Sequence, residues 1–137
     1  MPASTYTKPL PNNDPYSKPF WAHAKQGRLV VQRCDVCGDL HFPPGPVCPA
    51  CLASNQSFQP VSGRGTLVSW VHFHHAYWDG FKGELPYTVC LVKLAEGPIM
   101  ISNLLDEQPE KLHAGASVSV IFDAVSEDLT LPRFRID

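Results

Sequence analysis

The sequence predicts a mainly β protein with one short N-terminal helix, a small cysteine-rich ribbon and a C-terminal barrel of about five strands. Three observations support this prediction. Four of the five cysteines form two C-x-x-C pairs between residues 34 and 51. A short segment before residue 28 carries helix start and stop signals, and the chain after residue 61 alternates β-branched runs with turn residues. We therefore divide the 137 residues into an extended arm and short helix (1–27), the ribbon (28–60) and the barrel (61–137).

The N-terminal region is expected to be an extended arm followed by the helix. Residues 1–16 are rich in proline and asparagine, which disfavour regular structure. Ser17 is a suitable N-cap, Pro19 falls in the first turn, and Gly27 is placed to end the helix. The apolar face of this helix would consist of Phe20, Trp21 and Ala24.

The stretch "CDVCGDLHFPPGPVCPAC" admits three interpretations: a disulfide staple, a redox dithiol and a metal site. The N-terminus lacks a basic segment followed by an apolar one, so we expect no secretory signal and a cytoplasmic protein, in which ordinary thiols stay reduced. This weakens the disulfide interpretation. The redox interpretation requires a pair that opens a helix, whereas four prolines crowd the region, namely Pro43, Pro44, Pro46 and Pro49.

The metal interpretation accounts for the whole stretch. Each C-x-x-C pair supplies two thiolates on a tight turn, and Gly38 after the first pair allows the chain to turn closely. Two such turns facing each other form the tetrahedral all-sulfur cage that suits Zn²⁺. The predicted ligands of one structural zinc ion are Cys34, Cys37, Cys48 and Cys51. Because protein atoms fill all four coordination positions, the site is expected to have no catalytic role.

The C-terminal half is predicted to consist of short strands separated by turns. Residues 52–65, "LASNQSFQPVSGRG", are expected to form a turn-rich exit from the ribbon. Strands are then predicted in "TLVSWVHFHHA", "YTVCLVKLA", "PIMISNLL", "SVSVIFDAV" and "LTLPRFRI". About five short strands at this spacing, without a long helix, fit the Greek-key barrel of the OB-fold, and closure removes exposed sheet edges.

Charge and hydropathy argue against two classes of partner. The net charge is −2, and no Lys or Arg occurs between Cys34 and Gly63, so the ribbon is not expected to bind a nucleic-acid backbone. No run approaches the roughly 18 apolar residues of a membrane-spanning helix. We therefore expect neither a nucleic acid nor a membrane as partner.

Two further groups of reactive side chains do not predict a catalytic site. The "HFHH" segment places His72 and His74 on one strand face, but no carboxylate accompanies them in sequence, so surface or partner-facing histidines are favoured. Cys90 lies in an apolar strand, where a free cysteine acts as a small hydrophobic side chain. A nucleophile would require an exposed thiolate and an activating base. We predict no catalytic residue in this chain.

The loop "HHAYWDGFKGELPY" is the remaining candidate site. Aromatic side chains exposed between strands indicate a surface that something covers. Two interpretations stay open: the loop contacts a ligand directly beside the barrel face, or it packs onto its own barrel or onto a partner. The candidate ligand-binding or partner-facing residues are Tyr77, Trp78, Phe81, Lys82 and Tyr87.

The order of these segments resembles one protein family. The segments "GRLVVQRCDVCG", "FPPGPVCPAC", "SGRGTLVSW", "GFKGELPYTVCLVKLAEGP" and "LPRFR" follow one another as in proteins that join a rubredoxin-like zinc ribbon to an OB-fold. That family was long called a domain of unknown function and is linked to acyl-CoA metabolism. The resemblance covers roughly residues 15–136. It implies a non-catalytic accessory subunit that binds acyl-CoA and scaffolds a thiolase-like enzyme, with α2β2 as the simplest assembly.

The resemblance also leaves alternatives. It implies, as a second possibility, an accessory subunit of a MaoC-type enoyl-CoA hydratase or of an aldolase. If the 77–87 loop contacts the acyl-CoA directly, an adenine ring would stack on one of its aromatic side chains, and Lys82 would meet a phosphate. A nucleic-acid-binding OB-fold and zinc-ribbon module is disfavoured by the missing basic patch. A free-standing thioesterase-like enzyme that uses the histidines is disfavoured further.

Overall fold

The computed structural model describes residues 6–12, 14–105 and 108–137. The protein is mainly β with one short helix, as predicted. Helix α1 spans Lys18–Lys25, and the strands are β1 (Val30–Cys34), β2 (Leu40–His41), β3 (Gln56–Pro60), β4 (Arg64–Phe73), β5 (Tyr87–Leu94), β6 (Ile99–Leu105), β7 (Ser117–Ala124) and β8 (Thr130–Ile136). Two short 3₁₀ helices cover Asp79–Glu84 and Pro109–Lys111. In these described ranges, no helix has the length and apolar character needed to cross a membrane.

Ser17 occupies the N-cap position of α1, as predicted, but the carboxylate of Asp14 holds the chain there. The Asp14 carboxylate accepts hydrogen bonds from the Ser17 hydroxyl and from the backbone N–H groups of Ser17 and Tyr16. The Ser17 hydroxyl and then its backbone N–H lower the pKa of Asp14. Ser17 itself makes no capping bond with its side chain to any described residue. The helix end agrees with the prediction, since Gly27 adopts a φ of +75°.

The ribbon is a three-stranded antiparallel sheet with the order β2–β1–β3. Residues 52–65, predicted as a turn-rich exit, also contain a strand that was not predicted: β3 pairs with all five residues of β1, from Val30 opposite Pro60 to Cys34 opposite Gln56. Strand β1 is the central strand and needs a partner on each edge, which the short β2 alone does not provide. The glutamines and serine of β3 have weak strand propensity, so pairing and not local preference makes this segment a strand.

The barrel closes as predicted, with the strand order β4–β5–β6–β8–β7 and a final pairing of β4 with β7. All neighbours are antiparallel except β6 and β8, which run parallel through Leu104 opposite Phe134 and Leu105 opposite Arg135. A bulge at Val68 interrupts the register between β4 and β5. This five-stranded closed barrel is of the OB type, which confirms the predicted fold class.

One core joins the barrel, the ribbon and the helix. Strand β5 alternates strictly, so that Thr88, Cys90, Val92 and Leu94 face inward and are buried. Cys90, at 1% exposure, is part of this core. The same cluster includes Phe20 from α1, Leu29, Val30 and Val31 from the ribbon, and Phe134 from the last strand. The ribbon therefore shares the barrel's core instead of building its own.

The alternation along β4 predicts the cost of truncating its side chains. Leu67 is 1% exposed in the core, so Leu67→Ala should lower the free energy of unfolding by about 2–5 kcal/mol. Val71, beyond the bulge, is 54% exposed, and Val71→Ala should cost less than about 1 kcal/mol. Urea unfolding of the metal-replete variants measures both values. Equal losses for the two variants would contradict the assignment of inner and outer faces.

Candidate functional site

The two C-x-x-C segments fold into matching turns. In each, a backbone N–H bonds back to the carbonyl of the first cysteine: Gly38 to Cys34 and Leu52 to Cys48, both at 2.9 Å. The residue after each pair takes the left-handed conformation, with φ of +80° at Gly38 and +66° at Leu52. The sequence signalled this geometry at Gly38 but not at Leu52, because leucine rarely adopts it.

The four cysteine sulfurs converge into one cage. The Sγ atoms of Cys34 and Cys51 lie 3.5 Å apart, and those of Cys37 and Cys48 lie 3.7 Å apart. All four sulfurs lie within 4.8 Å of one another. A tetrahedral Zn²⁺ site with Zn–S bonds of about 2.3 Å has sulfurs about 3.8 Å apart, so these spacings fit zinc. Cys34, Cys37, Cys48 and Cys51 are thus positioned for metal binding.

Backbone donors around the cage favour thiolate ligands. The N–H groups of Cys37 and Val36 lie 3.4 Å from Cys34 Sγ, and the N–H of Ala50 lies 3.3 Å from Cys48 Sγ. The hydrogen bond from the Cys37 N–H is the main reason that the pKa of Cys34 falls to about 6. Cys34 therefore deprotonates before Cys37 and Cys51.

The thiols of Cys37 and Cys51 resist ionisation without a cation. The Asp39 backbone N–H lowers the pKa of Cys37, but desolvation and the three neighbouring sulfurs outweigh it and raise this pKa to about 12. For Cys51, the Ala53 N–H likewise lowers the pKa, but Cys34 and desolvation raise it overall. A metal ion must therefore displace protons from these thiols as it binds, so its affinity should fall as the pH is lowered.

A buried polar network, which sequence analysis missed, lies next to the cage. The His41 ring is 8% exposed. Its Nε2 lies 3.0 Å from Gln32 Oε1 and 2.5 Å from Gln56 Oε1, and its Nδ1 lies 3.2 Å from Asp39 Oδ2. The Gln32 amide also accepts a bond from the Gly45 N–H and donates one to the Gly45 carbonyl. The signal in the sequence was Gln32 itself, a polar residue inside the apolar run "LVVQRC".

This network fixes the loop that leads to the second cysteine pair. Asp39, His41 and Cys48 also lie close enough to form a ligand group. However, both ring nitrogens of His41 already face oxygen atoms of Asp39, Gln32 and Gln56. Cys48 is shared with the sulfur cage. The arrangement therefore favours the four-sulfur site, with His41 as its structural support.

The histidines of the "HFHH" segment do not form a metal centre. In the described part of the chain, every group of three or more potential metal ligands lies in the ribbon. The Nδ1 atom of His72 lies 2.9 Å from the Thr88 hydroxyl on the neighbouring strand. His74 and His75 follow the end of β4 and are exposed.

The aromatic loop is partly assembled into a stack. The ring centroids of Phe73 and Tyr87 are 5.1 Å apart, and the two rings are nearly parallel. The ring of Phe81 also stacks on Tyr87, with the centroids 4.9 Å apart. Tyr77 touches the edge of Phe73 but is 65% exposed. Trp78 is 58% exposed, and Lys82 pairs with Asp79 at 3.1 Å in solvent. The structure thus brings Phe81 and Tyr87 together and leaves Trp78 and Lys82 outside the stack.

An apolar outer face adjoins this stack. On the barrel surface, Val71 of β4 pairs with Val89 of β5, and Leu91 of β5 pairs with Ile101 of β6. Ile101 and Ile99 are among the exposed large apolar side chains. We call Val71, Val89, Leu91, Ile99 and Ile101 the outer face. The sequence signal was β6 itself, where "IMI" is apolar on both sides of the strand.

Comparison with known protein families matches both halves of the chain. Residues 21–55 match the family described as ChsH2, rubredoxin-like zinc ribbon domain, and residues 58–123 match ChsH2, C-terminal OB-fold domain. The chain is 32% identical over 109 residues to a DUF35 domain-containing scaffold protein of Pyrococcus furiosus, and the alignment covers 79% of each. The chain belongs to the ChsH2/DUF35 family. The resemblance inferred from the sequence is confirmed, including the rubredoxin-like character of the ribbon.

Relatives of this ChsH2/DUF35 chain include larger proteins. This chain is 38% identical over 135 residues to a probable enoyl-CoA hydratase alpha subunit of Thermomonospora curvata. The aligned region covers 98% of this chain but only 41% of that protein. A solved structure called Ltp2-ChsH2(DUF35) aldolase is 37% identical, with a TM-score of 0.81, and covers 94% of this chain and 98% of that one. A DUF35 protein of Sulfolobus solfataricus, 17% identical with a TM-score of 0.61, shares the fold.

Metal removal should unfold the ribbon. We expect metal-replete protein to contain about one zinc per chain, and Cys34→Ser or chelation to abolish binding, because the cage then loses the interaction that brings the sulfurs together. Elemental analysis and hydrogen exchange of β1 and β3 measure the two effects. Cys90→Ala is the control, since this fifth cysteine lies in the barrel core and should leave the zinc content unchanged. Full protection of the ribbon in zinc-free protein would contradict the prediction.

The two left-handed positions form a matched pair. A Cβ at Gly38 would meet no atom within 4 Å, so Gly38→Ala tests backbone conformation alone and should lower stability by about 1–2 kcal/mol. Leu52 is 72% exposed, so Leu52→Gly should relieve backbone strain and leave stability unchanged or raise it by up to about 1 kcal/mol. Thermal unfolding with zinc present compares them. A loss in Leu52→Gly as large as that in Gly38→Ala would contradict this account.

Proposed function

We propose that this chain is a non-catalytic scaffold subunit that binds a thiolase-like enzyme and helps to hold its acyl-CoA substrate. The observation that carries the proposal is the exposed outer face beside the aromatic stack. A face of this kind on a small barrel is typical of a protein interface. The solved relative at 37% identity, called Ltp2-ChsH2(DUF35) aldolase, supports an aldolase or thiolase-like protein as the partner.

The energetics of the outer face suit an interface. Val71 is 54%, Ile99 49% and Ile101 67% exposed in the chain alone. Complete burial of an aliphatic side chain of this size stabilises a complex by about 1.5–3 kcal/mol. The face is continuous across three hydrogen-bonded strands, so it is rigid and loses little conformational entropy on binding.

The chemistry is assigned to the partner. The metal cage of this chain, proposed to hold structural zinc, is closed by four sulfurs and has no free coordination position. Cys90 is buried in the barrel core, away from solvent. We propose that the partner supplies the residues that form or break the carbon–carbon bond, and that a two-fold partner dimer carries one copy of this chain on each subunit, as α2β2.

The aromatic loop is proposed to contribute to acyl-CoA binding. Phe81 and Tyr87 offer stacked rings beside the outer face, where a purine ring would extend the stack. Trp78 and Tyr77 are exposed at the tip of the loop, where they would contact the partner. Lys82 is 70% exposed at its side chain and would exchange Asp79 for a phosphate.

A second candidate function follows from the larger relatives. The Thermomonospora curvata relative is called a probable enoyl-CoA hydratase alpha subunit, and a Mycobacterium tuberculosis relative, 30% identical over 103 residues, is called a 3-oxo-4,17-pregnadiene-20-carboxyl-CoA hydratase alpha subunit. This chain spans 41% and 32% of those proteins. The alternative is therefore an accessory role beside a hydratase, with the hydration chemistry located outside this chain.

The scaffold proposal predicts that one outer-face substitution breaks the complex. Ile101→Asn should weaken binding to a co-expressed thiolase-like protein at least about tenfold, since it removes apolar contact and places an amide in the interface. Val36→Asn is the matched control, because Val36 is equally exposed, at 67%, but lies on the ribbon. Gel filtration and calorimetry measure complex formation.

Activity assays complete this test. The isolated chain should turn over no acyl-CoA thioester, and the complex should cleave or condense acyl-CoA. Hydration of an enoyl-CoA by a complex with a hydratase would favour the second candidate. Turnover by the isolated chain, abolished by substitution of His74 or Cys90, would contradict a scaffold role.

A further inference from the structure

The N-terminal arm lies across the aromatic loop. Residues 6–12 belong to no helix or strand in the described part of the chain. The Lys8 ammonium forms an ion pair with the Glu84 carboxylate and lies 5.0 Å from the centroid of the Phe81 ring. Only 13% of the Lys8 side chain is exposed. A lysine of the arm is therefore held in a site made of a carboxylate and the face of an aromatic ring.

Lys8 occupies the open end of the aromatic stack. Phe73, Tyr87 and Phe81 stack in that order, and the ammonium of Lys8 covers Phe81. A cation over a ring face, shielded from water, is attracted by the ring quadrupole. The arm thus occupies the surface where a further ring or a partner side chain would have to bind.

The arm backbone comes close to the loop at Gly80. A Cβ at this position would lie 2.8 Å from both the carbonyl carbon and the carbonyl oxygen of Thr7, and such contacts require a shift of the backbone. The absence of a side chain at Gly80 therefore allows the arm to dock. Gly83, in the same 3₁₀ helix, has no atom within 4 Å of its corresponding Cβ position.

Open space borders the arm. A cleft of about 590 Å³ is lined by arm residues and by residues of α1 and of the segment before β8, namely Tyr6, Thr7, Lys8, Leu10, Pro11, Asn12, Trp21, Ser126, Asp128 and Leu129. Next to the arm, Tyr6 and Lys8 also border a smaller cavity with Arg133 and Asn103. Burial raises the pKa of Tyr6, against the lowering effect of Arg133, which agrees with a ring lying against the barrel. A segment bordered by open space opens at a lower free energy than the core.

We propose that residues Tyr6–Asn12 form a self-docked strap that covers the Phe73–Tyr87–Phe81 stack in the free chain and is displaced when the partner binds. Closure is inferred from the contacts of Tyr6, Thr7 and Lys8 within the chain and does not depend on a partner. Displacement rests on the proposed function, since the stack borders the outer face. The apparent affinity for the partner is then the intrinsic affinity multiplied by the fraction of chains in which the strap is open.

The first experiment uses the isolated full-length chain. Gly80→Ala should push the arm away, and Gly83→Ala is the control with free space around the added methyl group. Hydroxyl-radical labelling of the Tyr6 side chain should rise about threefold or more in Gly80→Ala, and bis-ANS fluorescence should increase because the stack is uncovered. Gly83→Ala should match the unmodified chain in both measurements. Equal behaviour of the two variants would overturn the strap.

Charge reversal provides a second, independent test. Lys8→Glu and Glu84→Lys should each open the arm, since each places like charges together. The double variant should recover part of the protection of Tyr6 from hydroxyl-radical labelling, because it restores the ion pair but places a carboxylate over the Phe81 ring. Failure of the double variant to restore any protection would show that the ion pair does not hold the arm, and would overturn closure.

The complex with the thiolase-like partner tests displacement. Hydroxyl-radical labelling of Tyr6 should rise on binding while residues 78–88 become protected, and Gly80→Ala should bind more tightly than Gly83→Ala by about threefold to tenfold. An arm that stays protected in the complex would overturn displacement. Because the measurements on the isolated chain need no partner, failure of the scaffold proposal would be seen separately, as the lack of a complex.

Discussion

The close approach of four cysteine sulfurs is the constraint on which the N-terminal half of the molecule depends. Thiolates whose sulfurs lie 3.5–3.7 Å apart repel one another. The backbone N–H of Cys37 lowers the pKa of Cys34 to about 6. For Cys37 and Cys51, the N–H groups of Asp39 and Ala53 lower the pKa, but desolvation and neighbouring sulfurs outweigh them and raise it. A divalent metal removes this repulsion and holds two turns that have no apolar core of their own. The network around His41 then holds the loop between the turns in one conformation.

Strand β1 transmits this order to the barrel. Its last residue, Cys34, is a predicted metal ligand, while Val30 and Val31 are completely buried in the core that also contains Val92 and Phe134. Metal binding and barrel packing therefore stabilise the same strand from opposite ends. Since the ribbon shares the barrel core, its position relative to the outer face is fixed by packing and not by a flexible linker.

The division of the barrel surface accounts for the proposed scaffold role. The inward side chains of β4, β5 and β6 form the core. Apolar side chains at the outward positions, such as Val71 and Ile101, are exposed and therefore contribute little to packing in the isolated chain. They gain a packing role when a partner covers them. The aromatic stack beside them already has a cover, the arm with Lys8, and this is why the two adjacent surfaces are proposed to differ in accessibility.

The sequence by itself determined the features that depend on local spacing. Two C-x-x-C pairs set the cage, alternating strands set the barrel, and Gly27 and Gly38 set two chain reversals, because each depends on residues close together in the chain. Tertiary structure decided the rest. Strand β3 forms because it pairs with β1. Leu52 adopts its left-handed conformation because the second cysteine turn closes the cage. Lys8 and Glu84 meet although 76 residues separate them, an encounter that no local pattern encodes. Long-range contacts of this kind become visible only when the chain is folded, since their partners are chosen by the packing of the whole molecule.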